Sequence, residues 1–226
     1  MSTYKLYALY LHMFLLTLQI KRECTMKKII LSSLFALACS SFSLVSFADD
    51  YVMDVKGAHT FVQFRVKHLG YSWLYGRFDN IDGEFSYDPK DDSKNKVMMN
   101  VDVTSLNSSH AERDKHLGAE KYLNSGKFKD ATFVSTSYKT TGENKAELKG
   151  DLTILGVTKP VTFDVDVIGG GSDPWGGYRQ GFEAVTEFDS ADFGLKSAAK
   201  VGVVELIVSV EGCKKPNDYC GTGLSK

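Results

Sequence analysis

The sequence predicts an all-β domain, a single antiparallel β-barrel of about eight strands with a short helix across one end. Three observations predict it. Apolar and polar residues alternate with period two in run after run between residues 49 and 226, as they do in half-buried strands. Short segments rich in Gly, Asn, Asp and Pro separate the runs. Only the stretch between Ser105 and Lys127 breaks the alternation with helical spacing. Eight or nine strands with short links make a sandwich or a barrel, and a closed barrel of about eight strands is either filled by side chains or holds one small ligand.

The first 48 residues are read as standing apart from this domain. "MKKIILSSLFALACSSFSLVSFADD", from Met26, has two lysines, an apolar stretch and small residues before Asp49, the pattern of a cleavable signal peptide over 26–48. Residues 1–25 precede a complete signal and read as an extension from a start codon assigned too early. Their apolar run, 6–20, is shorter than the roughly 20 residues a bilayer span needs. A lipidated Cys39 is an alternative, weakened by Leu37 where a small residue is expected. The mature domain, 49–226 with a short C-terminal tail, is expected to be exported and has no later apolar run of membrane length.

The strands follow in order. One is expected over 51–55. "TFVQFRVKH" then places Val62, Phe64, Val66 and His68 on one face and Phe61, Gln63, Arg65 and Lys67 on the other. "HLGYSWLYGRF" gathers Tyr71, Trp73, Tyr75 and Phe78 where the chain turns at a barrel rim. There they either plug that end or, through Trp73 and Tyr71, line an entrance. A strand over 78–87 follows, then "KVMMNVDV" with Val97, Met99, Val101 and Val103 together. A helix is expected over 110–117, with Ser109 and Glu112 at capping-box spacing, and a second turn over 120–123. So short and polar a helix is marginal alone and must lie on the barrel.

Strands over 131–139 and 147–154 come next. "PVTFDVDVI" turns Val161, Phe163, Val165 and Val167 inward, a strand over 178–188 follows, and "VVELIVSVEG" aligns Val204, Leu206, Val208 and Val210. "DPKDDSKN", "TGENK", "LGVTKP" and "GGGSDPWGG" read as turns or loops.

Composition excludes several functions. With 27 basic and 28 acidic residues the formal charge is -1, which argues against a nucleic-acid partner. Of four cysteines, Cys24 and Cys39 fall in the expected leader. Cys213 and Cys220 remain, an even pair that in an oxidising compartment reads as a disulfide around "CKKPNDYC". No nucleophile elbow, redox cysteine motif or phosphate-cradling loop is present, so no enzyme and no cofactor is expected. In "HAERDKH", His110 and Asp114 are one helical turn apart while His116 points elsewhere, too few convergent ligands for a metal.

The segments "HTFVQFRVKHLGYSWLYGRF", "SSHAERDKHL", "DATFVSTS", "GDLTILGVTKPVTFDV" and "DPWGGYRQGFEA", in that order, resemble the YceI-like family, also called polyisoprenoid-binding proteins. The resemblance covers nearly the whole mature domain and leaves out residues 1–25 and the tail from about Lys214. It implies a periplasmic, lipocalin-like barrel without catalytic machinery whose apolar interior holds an isoprenoid lipid: a polyisoprenoid, an isoprenoid quinone or an isoprenoid phosphate. Inward faces supply the ligand-binding candidates Phe64, Val66, Phe85, Met99, Val101, Phe133, Phe163, Val165, Phe182 and Leu206, with Trp73 at the rim. Arg113 or Arg179 is a candidate to meet a phosphate or quinone head group. The alternative is a filled barrel acting as a stress-response or protein-interaction module through its loops and tail.

Overall fold

A computed structural model describes residues 47–217 and Cys220. The start extension expected over 1–25, Cys24, Cys39 and all but the last two residues of the expected signal peptide lie outside the described residues.

Eleven strands form one sheet: β1 (Asp49–Met53), β2 (Phe61–His68), β3 (Ser72–Phe78), β4 (Ile81–Tyr87), β5 (Lys96–Asp102), β6 (Leu106–Asn107), β7 (Asp130–Gly142), β8 (Lys145–Ile154), β9 (Val157–Ser172), β10 (Tyr178–Asp189) and β11 (Val203–Lys214). The order β1-β4-β5-β7-β8-β9-β10-β11, closed by β1 against β11, is an eight-stranded antiparallel barrel. The remaining three strands prolong it at one end. β2 pairs with the first half of β11, β3 with β2, and β6 with β3. Thus β1 and β2, β3 and β4, and β5 and β6 are broken halves of three staves.

Local chemistry accounts for the breaks. Between β1 and β2 the chain leaves the sheet at Asp54, whose carboxylate accepts the Gly57 amide at 2.8 Å. Between β5 and β6 a turn of 3-10 helix, Val103–Ser105, is capped by Asp102, which accepts from the Thr104 amide and hydroxyl. Each break bends a stave without ending the barrel.

Two helices lie at the β2–β3 end: α1 (Ala111–Gly118) and the single turn α2 (Ala198–Val201). The cap of α1 differs from the expectation. Ser109 takes a left-handed backbone (φ +62°), whereas His110 has the extended conformation an N-cap needs, and its Nδ1 accepts the Arg113 amide at 3.2 Å. The expected second turn is present over 120–123. Another expectation is corrected in "GGGSDPWGG": Gly169, Gly170 and Gly171 belong to β9, paired with Gly181, Gln180 and Arg179, and only 173–177 turns. At the opposite end the tail folds back through the disulfide between Cys213 and Cys220, with Cα atoms 6.0 Å apart.

Inward aromatic rings form the core near the tail end. Tyr51 stacks on Phe85 at 4.8 Å, Phe182 meets Phe85 edge-on at 5.4 Å and Tyr87 at 5.0 Å, and Phe133 meets Phe163 at 5.1 Å. Three glycines lie beneath rings. A Cβ on Gly212 would stand 2.3 Å from the Phe85 ring, one on Gly150 2.4 Å from Phe133, and one on Gly76 2.3 Å from Phe64. These rings therefore lie along the wall, in space that any other residue would fill.

Candidate functional site

Strand alternation sends every second side chain of each stave inward, and these side chains enclose a cavity of about 550 Å³. Such a volume is within the range of small-molecule sites. The structure places Phe64, Val66, Phe85, Met99, Val101, Phe133, Phe163, Val165, Phe182 and Leu206 on its wall. They arrive from seven strands, so no single stretch of sequence contains the site.

At the tail end the cavity is lined by two half-buried tyrosines. Tyr87 and Tyr138 meet edge-on with ring centroids 6.3 Å apart, and beside them buried Asn95 accepts the Asp88 amide at 2.6 Å. Burial raises the phenol pKa values of both tyrosines, and pushes that of Tyr51 up to about 12, with Asp49 adding to the rise. These tyrosines therefore stay uncharged at neutral pH.

At the other end the wall is open. Leu117, Tyr122, Leu123, Leu195 and Val201, contributed by α1, the turn after it and the segment leading through α2, line the cavity and are only half-buried. An ion pair of Lys196 with Glu120 joins these two segments. His68, Arg113, His116 and Lys200 stand on the same part of the wall.

Trp73 is placed differently from the other ten. It lies outside the wall, 41% exposed, with the Arg65 guanidinium 4.4 Å above its ring and the Lys67 ammonium at 5.6 Å. Arg65 is in turn paired with Glu205 at 2.7 Å. Tyr71 is 86% exposed and Tyr75 also faces outward, so these three rings neither plug the barrel nor line its mouth. Strand pairing gives the reason. Trp73 lies opposite Lys67 and Tyr75 opposite Arg65, both outward residues, while Leu74 and Phe78 lie opposite Val66 and Val62 and line the cavity. Sequence reasoning missed Leu74 and Phe78; the alternation Leu74, Gly76, Phe78 in "SWLYGRF" was the available signal.

The two arginines proposed for a head group have separate fates. Arg113 is on the cavity wall, its Nε donating to the Ser108 hydroxyl at 2.7 Å. Arg179 is not, and is enclosed by carboxylates: Asp54 at 2.7 Å from Nη1, Asp173 at 3.2 Å from Nε, and Glu211. Burial opposes ionisation of Asp54, but hydrogen bonds from His59, Arg179 and the Gly57 amide outweigh it and hold its carboxyl below the ordinary value. This cluster fastens the excursion between β1 and β2 to β10 and β11. Asp54, His59 and Glu211 are close enough to share a cation, but the Arg179 guanidinium already occupies the space among the two carboxylates. In "HAERDKH", His110 caps α1, Asp114 accepts from Ser108, and His116 faces the cavity, so the three do not converge.

Comparisons with known proteins agree with this architecture. A model of the YceI-like domain matches residues 51–211. The chain is 48% identical over 193 residues to protein YceI of Escherichia coli O157:H7, covering 84% of this chain and all of that protein. It is 49% identical over 170 residues to a UPF0312 protein of Pseudomonas paraeruginosa, covering 74% of this chain and 88% of that one. Among solved structures, the YceI protein of Campylobacter jejuni superposes with a TM-score of 0.60 at 25% identity, over 66% of this chain and 90% of that one. A polyisoprenoid binding domain from Saccharophagus degradans, implicated in plant cell wall breakdown, has the same fold, with a TM-score of 0.56 at 14% identity over 74% of this chain and 98% of that one.

Proposed function

The chain belongs to the YceI-like family, and from that premise we propose that it is a non-catalytic periplasmic carrier or sequestering protein for an isoprenoid lipid. The observation that carries this reading is the cavity: mostly apolar, about 550 Å³, lined at the tail end by Tyr87 and Tyr138 and open beside α1. Burial is the mechanism. At ~0.8 kcal/mol per CH₂ removed from water, roughly ten lipid carbons contribute about 8 kcal/mol, the free energy of a micromolar complex before the chain's lost freedom is counted. Selectivity then comes from the width of the lumen and its depth to Tyr87 and Tyr138. The relative whose structure is that of a polyisoprenoid binding domain supports the lipid class. The signal pattern at 26–48 and the pairing of Cys213 with Cys220 support export to an oxidising compartment.

Against the filled-barrel alternative stands Phe64, whose ring lies over Gly76 along the wall beside the cavity. The test is native mass spectrometry of the mature protein from an exporting host, followed by organic extraction and identification of the bound lipid. A stoichiometric isoprenoid is expected. Protein that is reproducibly empty and fails to take up added polyprenyl lipid would refute the carrier reading.

A further inference from the structure

The β2–β3 hairpin presents side chains to solvent that neither the core nor the cavity accounts for. Its turn runs from His68 to Tyr71, closed by the Tyr71 amide donating to the His68 carbonyl at 3.0 Å, with φ +53° at Leu69 and +81° at Gly70. Positive φ at both central residues suits asparagine followed by glycine, and a leucine adopts it only at a cost in free energy. The β8–β9 turn has the same pattern, with φ +55° at Leu155 and +75° at Gly156, but Leu155 is half-buried and lines the cavity. Leu69 only edges the rim and is 73% exposed, so both its backbone and its hydration are unfavourable. Behind it Tyr71, Trp73 and Tyr75 follow at every second position on the outer face, all exposed.

Charge at this end is one-sided. The four segments around the opening, 67–72, 111–127, 154–159 and 195–201, carry eight lysines and arginines and three acids, in a chain whose formal charge is -1. Lys67, Lys115, Lys121, Lys127, Lys159 and Lys200 are exposed, and among the described residues the one ion pair on these segments joins Lys196 to Glu120. Of the other two acids, Asp114 is turned to Ser108, whose amide it accepts at 2.8 Å. The end is thus apolar at its tip, aromatic behind the tip and cationic around it. Protein interfaces are depleted in lysine, whereas a bilayer surface takes Tyr and Trp at head-group depth and lysine against anionic lipid.

We infer that this end is a membrane-docking surface: the β2–β3 turn enters the interface of an anionic phospholipid bilayer, and the lysines around the opening hold it there. Leu69 and Tyr71 go deepest. At ~3.3 Å of rise per residue Trp73 stands roughly 7 Å behind Tyr71, about the thickness of one head-group layer, so its ring lies among the head groups with Arg65 and Lys67 beside it. Docking goes beyond the carrier reading and does not depend on it, since adhesion to a bilayer needs no lipid to enter the barrel.

The experiment measures, by flotation, partition of the full mature protein into vesicles of phosphatidylethanolamine with phosphatidylglycerol and into vesicles of phosphatidylcholine. Tryptophan emission is recorded in Trp175→Phe, which leaves Trp73 as the one tryptophan. Partition is expected to be at least about 10-fold stronger into the anionic vesicles and to weaken with salt, with Trp73 emission moving to shorter wavelength on binding. Leu69→Asn/Tyr71→Ser should lose on the order of 10-fold in partition while its urea unfolding is unchanged or moves to higher urea, because asparagine suits the turn. Tyr71→Ser alone leaves the turn untouched and should lose about threefold. Lys115→Gln/Lys121→Gln should lose about 10- to 30-fold with the tip intact. No partition by the parent protein, equal partition into the two kinds of vesicle, an unshifted Trp73, or full binding by the folded tip variants would each overturn the docking surface; a partner protein in place of a bilayer would give the first of these results.

Discussion

Gly76→Ala should close part of the lumen without unfolding the barrel. Gly76 lies opposite Phe64 in the β2–β3 pair, and a Cβ placed on it would lie 2.3, 2.6 and 3.0 Å from three atoms of the Phe64 ring. Those are its nearest contacts, and the ring faces the cavity, so it can swing inward to relieve them. Gly150 behaves otherwise: a Cβ there also meets the Val134 carbonyl at 2.6 Å, and backbone cannot step aside. A displaced benzyl ring takes roughly the room of one isoprene unit. Five carbons at ~0.8 kcal/mol each set an upper limit of about 4 kcal/mol of lost binding, and partial relaxation of ring and lipid halves it. At ~1.4 kcal/mol per tenfold change, the expected loss is about 30- to 1,000-fold in affinity for a polyprenyl lipid. Titration of the lipid into parent and variant, with circular dichroism to verify the barrel, measures it. Phe64→Ala in the Gly76→Ala background should restore most of the loss. An unchanged affinity in folded Gly76→Ala, or no recovery in the double variant, would refute the view that Gly76 keeps the lumen open by letting Phe64 lie flat.

Three further outcomes are expected. Met99→Lys sets a charge on the wall and should lower lipid uptake at least ~10-fold, since an unpaired ammonium in an apolar lumen costs several kcal/mol unless it stays hydrated; full uptake by a folded variant would remove Met99 from the site. Arg179→Met leaves buried Asp54 and Asp173 without their cation and should cost about 3–5 kcal/mol in urea unfolding with little effect on lipid affinity. Acid should act on the same cluster. Because the folded-state pKa of Asp54 is lowered from 3.8, its contribution is complete above that value and is lost as pH falls through the lower folded pKa. Asp54→Asn should therefore be less stable than the parent near pH 6 and show a shallower loss of stability below about pH 4, and parallel curves would count against the linkage.

How far the site could be read in advance depended on whether one strand or several carried the information. Phe163 and Val165, or Met99 and Val101, are legible because period-two alternation within one run fixes which residues share a face, and closure of the barrel makes that face the inside. Trp73 was misplaced because its neighbourhood is so rich in rings that composition suggested a rim plug. The pairing of β3 with β2 decides instead, and it puts Leu74 and Phe78 inside. Gly169 to Gly171 read as a loop from local propensity, yet β10 supplies the partner that makes them strand. The helix was legible and its cap was not, since backbone conformation decides whether Ser109 or His110 takes the extended N-cap position. Least accessible was the grouping of His68, Arg113, His116 and Lys200 at the open end, since they lie as much as 132 positions apart and no spacing rule joins them.

Whether an eight-stranded barrel is solid or hollow turns on where its inward rings go. Here the same residue type does both jobs. Phe182 bridges Phe85 and Tyr87 in the closed half, and Tyr87 meets Tyr138, so rings reach across and form the floor. Phe64, nearer the mouth, lies over Gly76 and leaves the lumen free. Glycine in a strand costs stability, roughly 0.5–1 kcal/mol relative to alanine, and a barrel selected for packing alone would gain by replacing it where a neighbour can move. Its presence beneath Phe64, where a methyl would only push the ring inward, follows from a need for empty space. On the carrier reading, a bound chain would lie with its apolar end toward Tyr87 and Tyr138 and its polar end at the opening beside α1. Loading and release must then both pass α1 and the Lys196–Glu120 bridge. It follows that substitutions at that bridge act on the rates of exchange, and substitutions at the floor on which chain lengths fit.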